Sequence, residues 1–241
     1  MYSHHSTSCI DSHLPMPERI AILDFETTGM SPAHGARAAE VGIVMIESGR
    51  IVDRYQSLMN AGQRMPSFIT QLTGITTAML QAAAPAEQVM REAADFVGSA
   101  PLVAHNASFD SKFWRDELER AGCIASAAAA PVGSLFACTV LLSRRLYPEA
   151  PSHSLGKIVR HLQLPPADKA HRALADAEMT AHLLLRMQAD LRQRWHIPQP
   201  EFAVLNGLQR CAKKQLPRWL QDLSQRQTQP ELRLSAAPAA G

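Results

Sequence analysis

Asp24 and Glu26 stand two residues apart at the end of the apolar run Ile20-Ala21-Ile22-Leu23. Alternate side chains of a β-strand leave the same face, so this D-x-E pair sends two carboxylates into one small space. Like charges there repel and lose hydration, an arrangement that cations relieve. Hard ions that prefer oxygen ligands, Mg²⁺ or Mn²⁺, suit such a donor set. Taken alone, the pair also fits two solvated charges at a strand terminus, so the rest of the chain must supply further ligands. Two later stretches can. His105-Asn106-Ala107-Ser108-Phe109-Asp110 sits where a short apolar strand runs into a helix, and His171-Arg172-Ala173-Leu174-Ala175-Asp176 opens a long helical pattern. An acid in the first turn of a helix is also favoured by the helix dipole, which is the bland reading of Asp110. Lys169, His171, Arg172 and Asp176 also fit a solvated face. The three stretches together outweigh each bland reading taken singly.

The elements that must hold these residues follow from periodicity and turn chemistry. Apolar residues 20–23 suit a central strand covered on both faces. Glycine and proline in residues 29–35 mark a turn. Residues 39–47 and 50–59 read as two strands joined at Ser48-Gly49, a hairpin. A short helix over 66–75 ends at Gly74, and residues 86–97 carry helix spacing after Pro85. Residues 101–104 form a short buried strand, followed by a helix to about residue 121 with Ser108 as its N-cap. Alanine-rich residues 125–130 read as a surface loop. Residues 134–139 read as a strand, followed by helices to 146, over 154–161 and over about 170–194. The expected architecture is α/β: a mixed sheet whose first three strands are antiparallel and whose later strands are parallel, flanked by helices.

With 241 residues, 46% hydrophobic and 19% charged, the chain is ample for one compact core. A net charge of +2 is too mild to announce a nucleic-acid partner by itself. The four cysteines, Cys9, Cys123, Cys138 and Cys211, form no CxxC pair. Free thiols and a reduced, cytoplasmic setting are therefore expected. No apolar run approaches a membrane span. Residues 1–18 read as a flexible polar leader, residues 19–195 as the main domain, and residues 196–241 as a C-terminal helical segment with a disordered tail. Within that last part, a basic amphipathic helix over 202–220 is expected to break at Pro217.

The three motifs, in this order, resemble the DEDD-type 3′–5′ exonucleases of the histidine subclass (DEDDh). The pattern is similar to that of the epsilon proofreading subunit of bacterial DNA polymerase III. Asp24-Phe25-Glu26-Thr27-Thr28-Gly29 is the first match, and the stretches ending in Asp110 and Asp176 are the second and third. Leu72-Thr73-Gly74-Ile75-Thr76 and His153-Ser154-Leu155 also look like family segments, and the similarity runs over about residues 19–194. The resemblance implies a ribonuclease H-like fold and two divalent ions, Mg²⁺ or Mn²⁺. Asp24, Glu26, Asp110 and Asp176 would hold them, with Asp24 bridging, and His171 would be the general base. It places Met30 by the terminal base. Thr27, Thr28 and Gly29 are candidates to hold the terminal nucleotide through their backbone. His105 and Asn106 could contact sugar or phosphate, or instead satisfy their own loop. Phe109 could pack by the nucleotide, with core packing slightly favoured.

The chemistry stands independently of the resemblance. Phosphodiester hydrolysis needs an activated water and stabilised charge on the phosphoryl and leaving oxygens, which a two-metal site supplies. An imidazole suits proton abstraction near neutral pH. The expected activity is metal-dependent removal of nucleoside 5′-monophosphates from a 3′ end, DNA being favoured, in proofreading or repair. An exoribonuclease or short-oligonucleotide nuclease with the same mechanism is the alternative. A non-catalytic module that binds nucleic acid or a polymerase is the alternative from another class. By analogy, the C-terminal segment could reach a polymerase or repair partner, although no binding motif there carries this. No membrane partner is expected.

Overall fold

The computed structural model describes residues 18–123, 136–167 and 171–228. Its centre is β1 (Arg19–Thr27), hydrogen-bonded on both sides within a sheet of strand order β3-β2-β1-β4-β5. β1 runs antiparallel to β2 (Ala38–Glu47), and β2 antiparallel to β3 (Arg50–Leu58). On its other side β1 is parallel to β4 (Leu102–Ala104), which is parallel to β5 (Phe136–Cys138). The mixed sheet expected from the sequence is thus the observed one. Ser48 and Gly49 both have positive φ, 52° and 76°, as a tight hairpin turn requires.

Both faces of the sheet are covered, which is why β1 reads as an unbroken apolar run. Ala21, Leu23 and Phe25 enter a core under α3 (Ala86–Val97) and α4 (Ala107–Arg120). Ile20 and Ile22, with Val44 and Ile46 of β2, enter the opposite core. That second core lies under α5 (Thr139–Leu146), α6 (Leu155–His161) and the long α7 (Ala173–Trp195). Asp24 and Glu26 share the face of Ile20 and Ile22, so the strand's own alternation aims them at α7.

Two further helices, α8 (Phe202–Arg210) and α9 (Leu216–Thr228), close this second face. Leu205, Leu208 and Leu220 are buried in its core. Gln209 donates to the Phe136 carbonyl at 3.0 Å and accepts from the Cys138 amide at 2.7 Å. It therefore satisfies part of the backbone of edge strand β5 that would otherwise face solvent. The helical break falls at Cys211-Ala212 rather than at Pro217. Proline at the second residue of α9 removes an N–H that a first turn leaves unpaired anyway.

Several local expectations differ from the structure. A helix α2 (Thr77–Ala82) follows α1 (Ser67–Thr73), where the sequence pattern showed only the first. Ser108 is not the N-cap of α4. Asn106 holds that position with φ 75°, and Ser108 instead donates its hydroxyl to Asn106 Oδ1 at 3.2 Å. α7 begins at Ala173 rather than near 170, with Arg172 as its N-cap. The alanine-rich stretch 125–130 lies outside the described residues. No described helix is long and apolar enough to cross a membrane.

The seat of α7 on the sheet is unusually close. Gly42 pairs with Asp24 across β1 and β2. A Cβ at Gly42 would stand 2.2 Å from the Leu174 amide nitrogen and 2.5 Å from the Ala173 carbonyl oxygen. Only a residue without a side chain lets the first turn of α7 lie there. Gly42→Ala is therefore expected to destabilise the fold by about 1–3 kcal/mol, the usual range for overpacking. Denaturant unfolding of the variant checks this, and unchanged stability would contradict the close seat.

Candidate active site

Three carboxylates converge where β1 meets α7. Asp24, Glu26 and Asp176 each present an oxygen, and these oxygens lie within 4.8 Å of one another. Asp110, buried at the start of α4, joins from the other side. Its Oδ1 accepts the Phe25 amide at 3.2 Å, on the backbone between Asp24 and Glu26. The four acids of the three motifs are therefore brought to one place by a strand end, a helix start and a second helix start.

Their protonation reflects this crowding. Burial first, then the charges of Asp110, Asp176, Glu26 and Glu40, holds the Asp24 carboxyl well above its ordinary range. Burial, followed by Asp176 and Glu40, raises Glu26 to about 7, with Arg172 opposing. Asp110 is pushed up by burial against the pull of the Phe25 amide. Asp176 is pushed up by burial, opposed by the charge and backbone N–H of His171. Asp176 Oδ1 is buried with no hydrogen-bond partner among the described residues. An orphaned carboxylate oxygen inside a cluster of acids is an unmet acceptor, and an oxygen-seeking divalent ion fits it.

His171 lies just outside α7, exposed, in a left-handed conformation (φ 61°). The next residue locks this lead-in. Arg172 Nε donates to Glu40 Oε2 at 3.0 Å, and its Nη2 donates to Oε1. The same carboxylate takes the Ala173 amide at 3.1 Å and Gln56 Nε2 at 2.8 Å. Glu40 is fully buried on β2 and pairs across the sheet with Glu26. It acts as a capping acid supplied to α7 by another element. Sequence reasoning missed this pair, because Arg172 reads as part of a solvated face. The available signal was Glu40 itself, a lone charge within the apolar run 38–46.

The turn after the acids is held firmly. The Thr28 amide donates to the Arg37 carbonyl at 2.8 Å, and the Arg37 amide donates to Thr28 Oγ1 at 2.9 Å. The Arg37 guanidinium makes two 2.8 Å bonds to buried Glu117 of α4. Thr27 Oγ1 donates to the Gly29 carbonyl at 2.7 Å, and Thr28 Oγ1 donates to Gln63. Met30 is 79% exposed and, with Thr28, Gly29, His34, Gln63 and Arg64, lines a cavity of about 280 Å³.

The second motif divides. His105 spends both ring nitrogens internally, Nδ1 at 2.8 Å from Thr139 Oγ1 and Nε2 at 3.0 Å from the His153 carbonyl. Nε2 must carry the proton that meets the carbonyl, leaving Nδ1 to accept from the threonine. Burial lowers its pKa to about 4, so it is a neutral brace with no ring nitrogen left for sugar or phosphate. Asn106 is exposed and shapes the αL entry to α4. Phe109 is half-buried and packs on Phe113 with ring centroids 5.0 Å apart, on the core side.

The family model RNase T, described as an exonuclease, matches residues 21–184. The "3'-5' exonuclease DinG" of Bacillus subtilis (strain 168) is 35% identical over 79% of this chain. A "DNA polymerase III PolC-type" of Halalkalibacterium halodurans is 35% identical over 76% of it. This chain spans only 19% and 12% of the lengths of those two relatives. Among solved structures, exonuclease X in complex with 5′ overhanging duplex DNA is similar with a TM-score of 0.60 and 25% identity. The match covers 79% of this chain and 99% of that one. The nuclease domain of 3'hExo, a DEDDh family member bound to rAMP, has a TM-score of 0.60 at 21% identity, covering 72% of this chain and 93% of that one. The chain belongs to this exonuclease family, and its fold is that of the DEDDh exonucleases.

Proposed function

We propose that the chain is a metal-dependent 3′–5′ exonuclease that releases nucleoside 5′-monophosphates from a single-stranded 3′ end, DNA in preference to RNA. The observation that carries this reading is the acid cluster with the buried, orphaned Asp176 oxygen inside it. The DNA preference draws support from the DinG and PolC-type relatives and from the DNA-bound exonuclease X. The rAMP-bound 3'hExo domain favours RNA as the second substrate reading. The PolC-type likeness likewise supports service beside a polymerase or repair partner. A silent binding module is disfavoured, because all the acids and His171 are present in reach of one another.

Asp24, Glu26, Asp110 and Asp176 would hold two divalent ions, Mg²⁺ or Mn²⁺. When bound, such ions stabilise charge on phosphoryl oxygens and make a water nucleophilic. His171, outside the helix and beside Asp176, would accept a proton from the attacking water on its imidazole. With the Thr28 amide already given to the Arg37 carbonyl, the Thr27–Met30 turn holds the terminal nucleotide by its remaining backbone groups and by the exposed Met30 side chain. Contacts of this kind tolerate any base, which suits an enzyme that must remove all four.

Asp24→Ala or Asp176→Ala is expected to abolish Mg²⁺-dependent mononucleotide release with the circular dichroism spectrum unchanged, and EDTA to stop the parent enzyme. A clean Asp24→Ala preparation that digests DNA at the parent rate would falsify the acid assignment. His171→Ala should slow turnover by about 10²–10⁴-fold, the range for a lost general base, while leaving the affinity for metal intact. Unchanged turnover would remove His171 from that role. The acids also make a pH prediction. Their folded pKa values lie above the unfolded ones, so their contribution to stability is complete below about pH 4 and is lost as pH rises through the folded values, about 7 for Glu26 and about 8 for Asp110, with Asp24 and Asp176 shifted in the same direction. His105, depressed on folding, gives the opposite limb, lost as pH falls from about 6.5 toward 4. Mg²⁺ should therefore raise the melting temperature more at pH 8 than at pH 5, and a shift independent of pH would contradict the carboxylate cluster as the metal site.

A further inference from the structure

The acid cluster and the Thr27–Met30 turn account for the last nucleotide only. A strand continuing in the 5′ direction carries one negative charge per residue and meets a site that is itself acidic. Its backbone needs cations nearby, and one surface beside the site supplies them.

Arg144 at the end of α5, Lys157 and Arg160 on α6, and Lys213 and Lys214 in the turn between α8 and α9 are all exposed. None of the five makes an ion pair among the described residues. Three bonds draw them together. Arg145 Nε donates to the Cys211 carbonyl at 2.9 Å, tying α5 to the turn that carries Lys213 and Lys214. His153 Nδ1 lies 3.0 Å from Ser143 Oγ, tying the lead-in of α6 to α5. The His153 carbonyl takes the His105 ring at 3.0 Å, tying that same lead-in to the end of β4, directly before the helix of Asp110. The charges of Arg144 and Lys213 reach His153 from separate elements, and Glu149 is the acid that opposes them there. A cavity of about 420 Å³ opens between Pro151, Ser152, Lys157, Arg160 and His161.

We infer that Arg144, Lys157, Arg160, Lys213 and Lys214 form a phosphate track that holds the backbone of a single strand on the 5′ side of the nucleotide being removed. The inference rests on the exonuclease reading for the direction of the strand, and on charge and geometry for its binding. Unpaired cations on a surface braced by other groups stay available to phosphates, and each phosphate they neutralise releases counterions. Lys and Arg contacts to phosphate oxygens position a strand without reading its bases.

The test measures binding without turnover. A fluorescein-labelled oligothymidylate is titrated with the full chain in EDTA over a series of salt concentrations. Relative to the parent, the triple variant Lys157→Gln, Arg160→Gln, Lys213→Gln should bind about tenfold more weakly at low salt. Its slope of log K against log salt should be shallower by about 2, since each single-strand phosphate contact contributes about 0.7. The comparison variant Arg91→Gln, Arg115→Gln, Arg120→Gln removes the same charge from α3 and α4 on the other face and should keep the parent slope. Equal slopes in the two triple variants, or a parent-like slope in the first, overturn the track. Mononucleotide release from the same strand in Mg²⁺ is followed in parallel. A parent that binds with the expected slope yet releases nothing overturns the exonuclease reading and upholds the track.

Discussion

Mutual repulsion among carboxylates is the constraint that the rest of this structure serves. Oxygens of Asp24, Glu26 and Asp176 within 4.8 Å of one another, with Asp110 behind them, would separate if their supports allowed it. Each support is therefore stiff. Asp24 and Glu26 ride on the central strand, hydrogen-bonded on both sides. Asp110 is bonded to that strand's backbone. Asp176 is carried by a helix that cannot withdraw without breaking a buried ion pair and vacating a seat made by a glycine.

The Glu40–Arg172 pair shows how charge is managed next to a site that is already too negative. Glu40 adds another buried acid across from Glu26, yet a guanidinium, a helix N–H and an amide surround it. Breaking such a pair leaves an uncompensated buried charge, so it holds α7 in place by the cost of its loss rather than by a large net attraction. Arg37 and Glu117 repeat the device on the other side. There they pin the loop after the acids to the helix of Asp110. Two ion pairs, each with a buried carboxylate, thus clamp the two segments that flank the acid cluster.

Much of this was legible in the sequence, and the reasons differ by element. Strand alternation alone put Asp24 and Glu26 on one face, and the Ser48-Gly49 turn announced the hairpin. The order of strands and helices announced a mixed sheet. What stayed hidden depends on partners remote in sequence. Arg172 looks solvated until Glu40, 132 residues earlier, is brought beneath it. Gly42 looks like an ordinary strand glycine until α7 lies on it. His105 sits in a catalytic-looking motif, yet Thr139 and the His153 carbonyl take up its ring. Asn106 displaced Ser108 as the cap because the chain enters α4 through a left-handed residue, a preference of asparagine that the local pattern does not demand.

The distance along the chain between Glu40 and Arg172 has a consequence for the life of the protein. The cage is complete only when a helix from the last third of the domain settles on a hairpin from the first. A chain emerging from the ribosome carries Asp24, Glu26 and then Asp110 well before it carries Asp176. Such a partial chain lacks both the fourth acid and the helix that closes the cage. The four-acid cluster therefore cannot assemble until the chain from β1 through the start of α7 is all available to fold, and its completion depends on a contact between segments 132 residues apart.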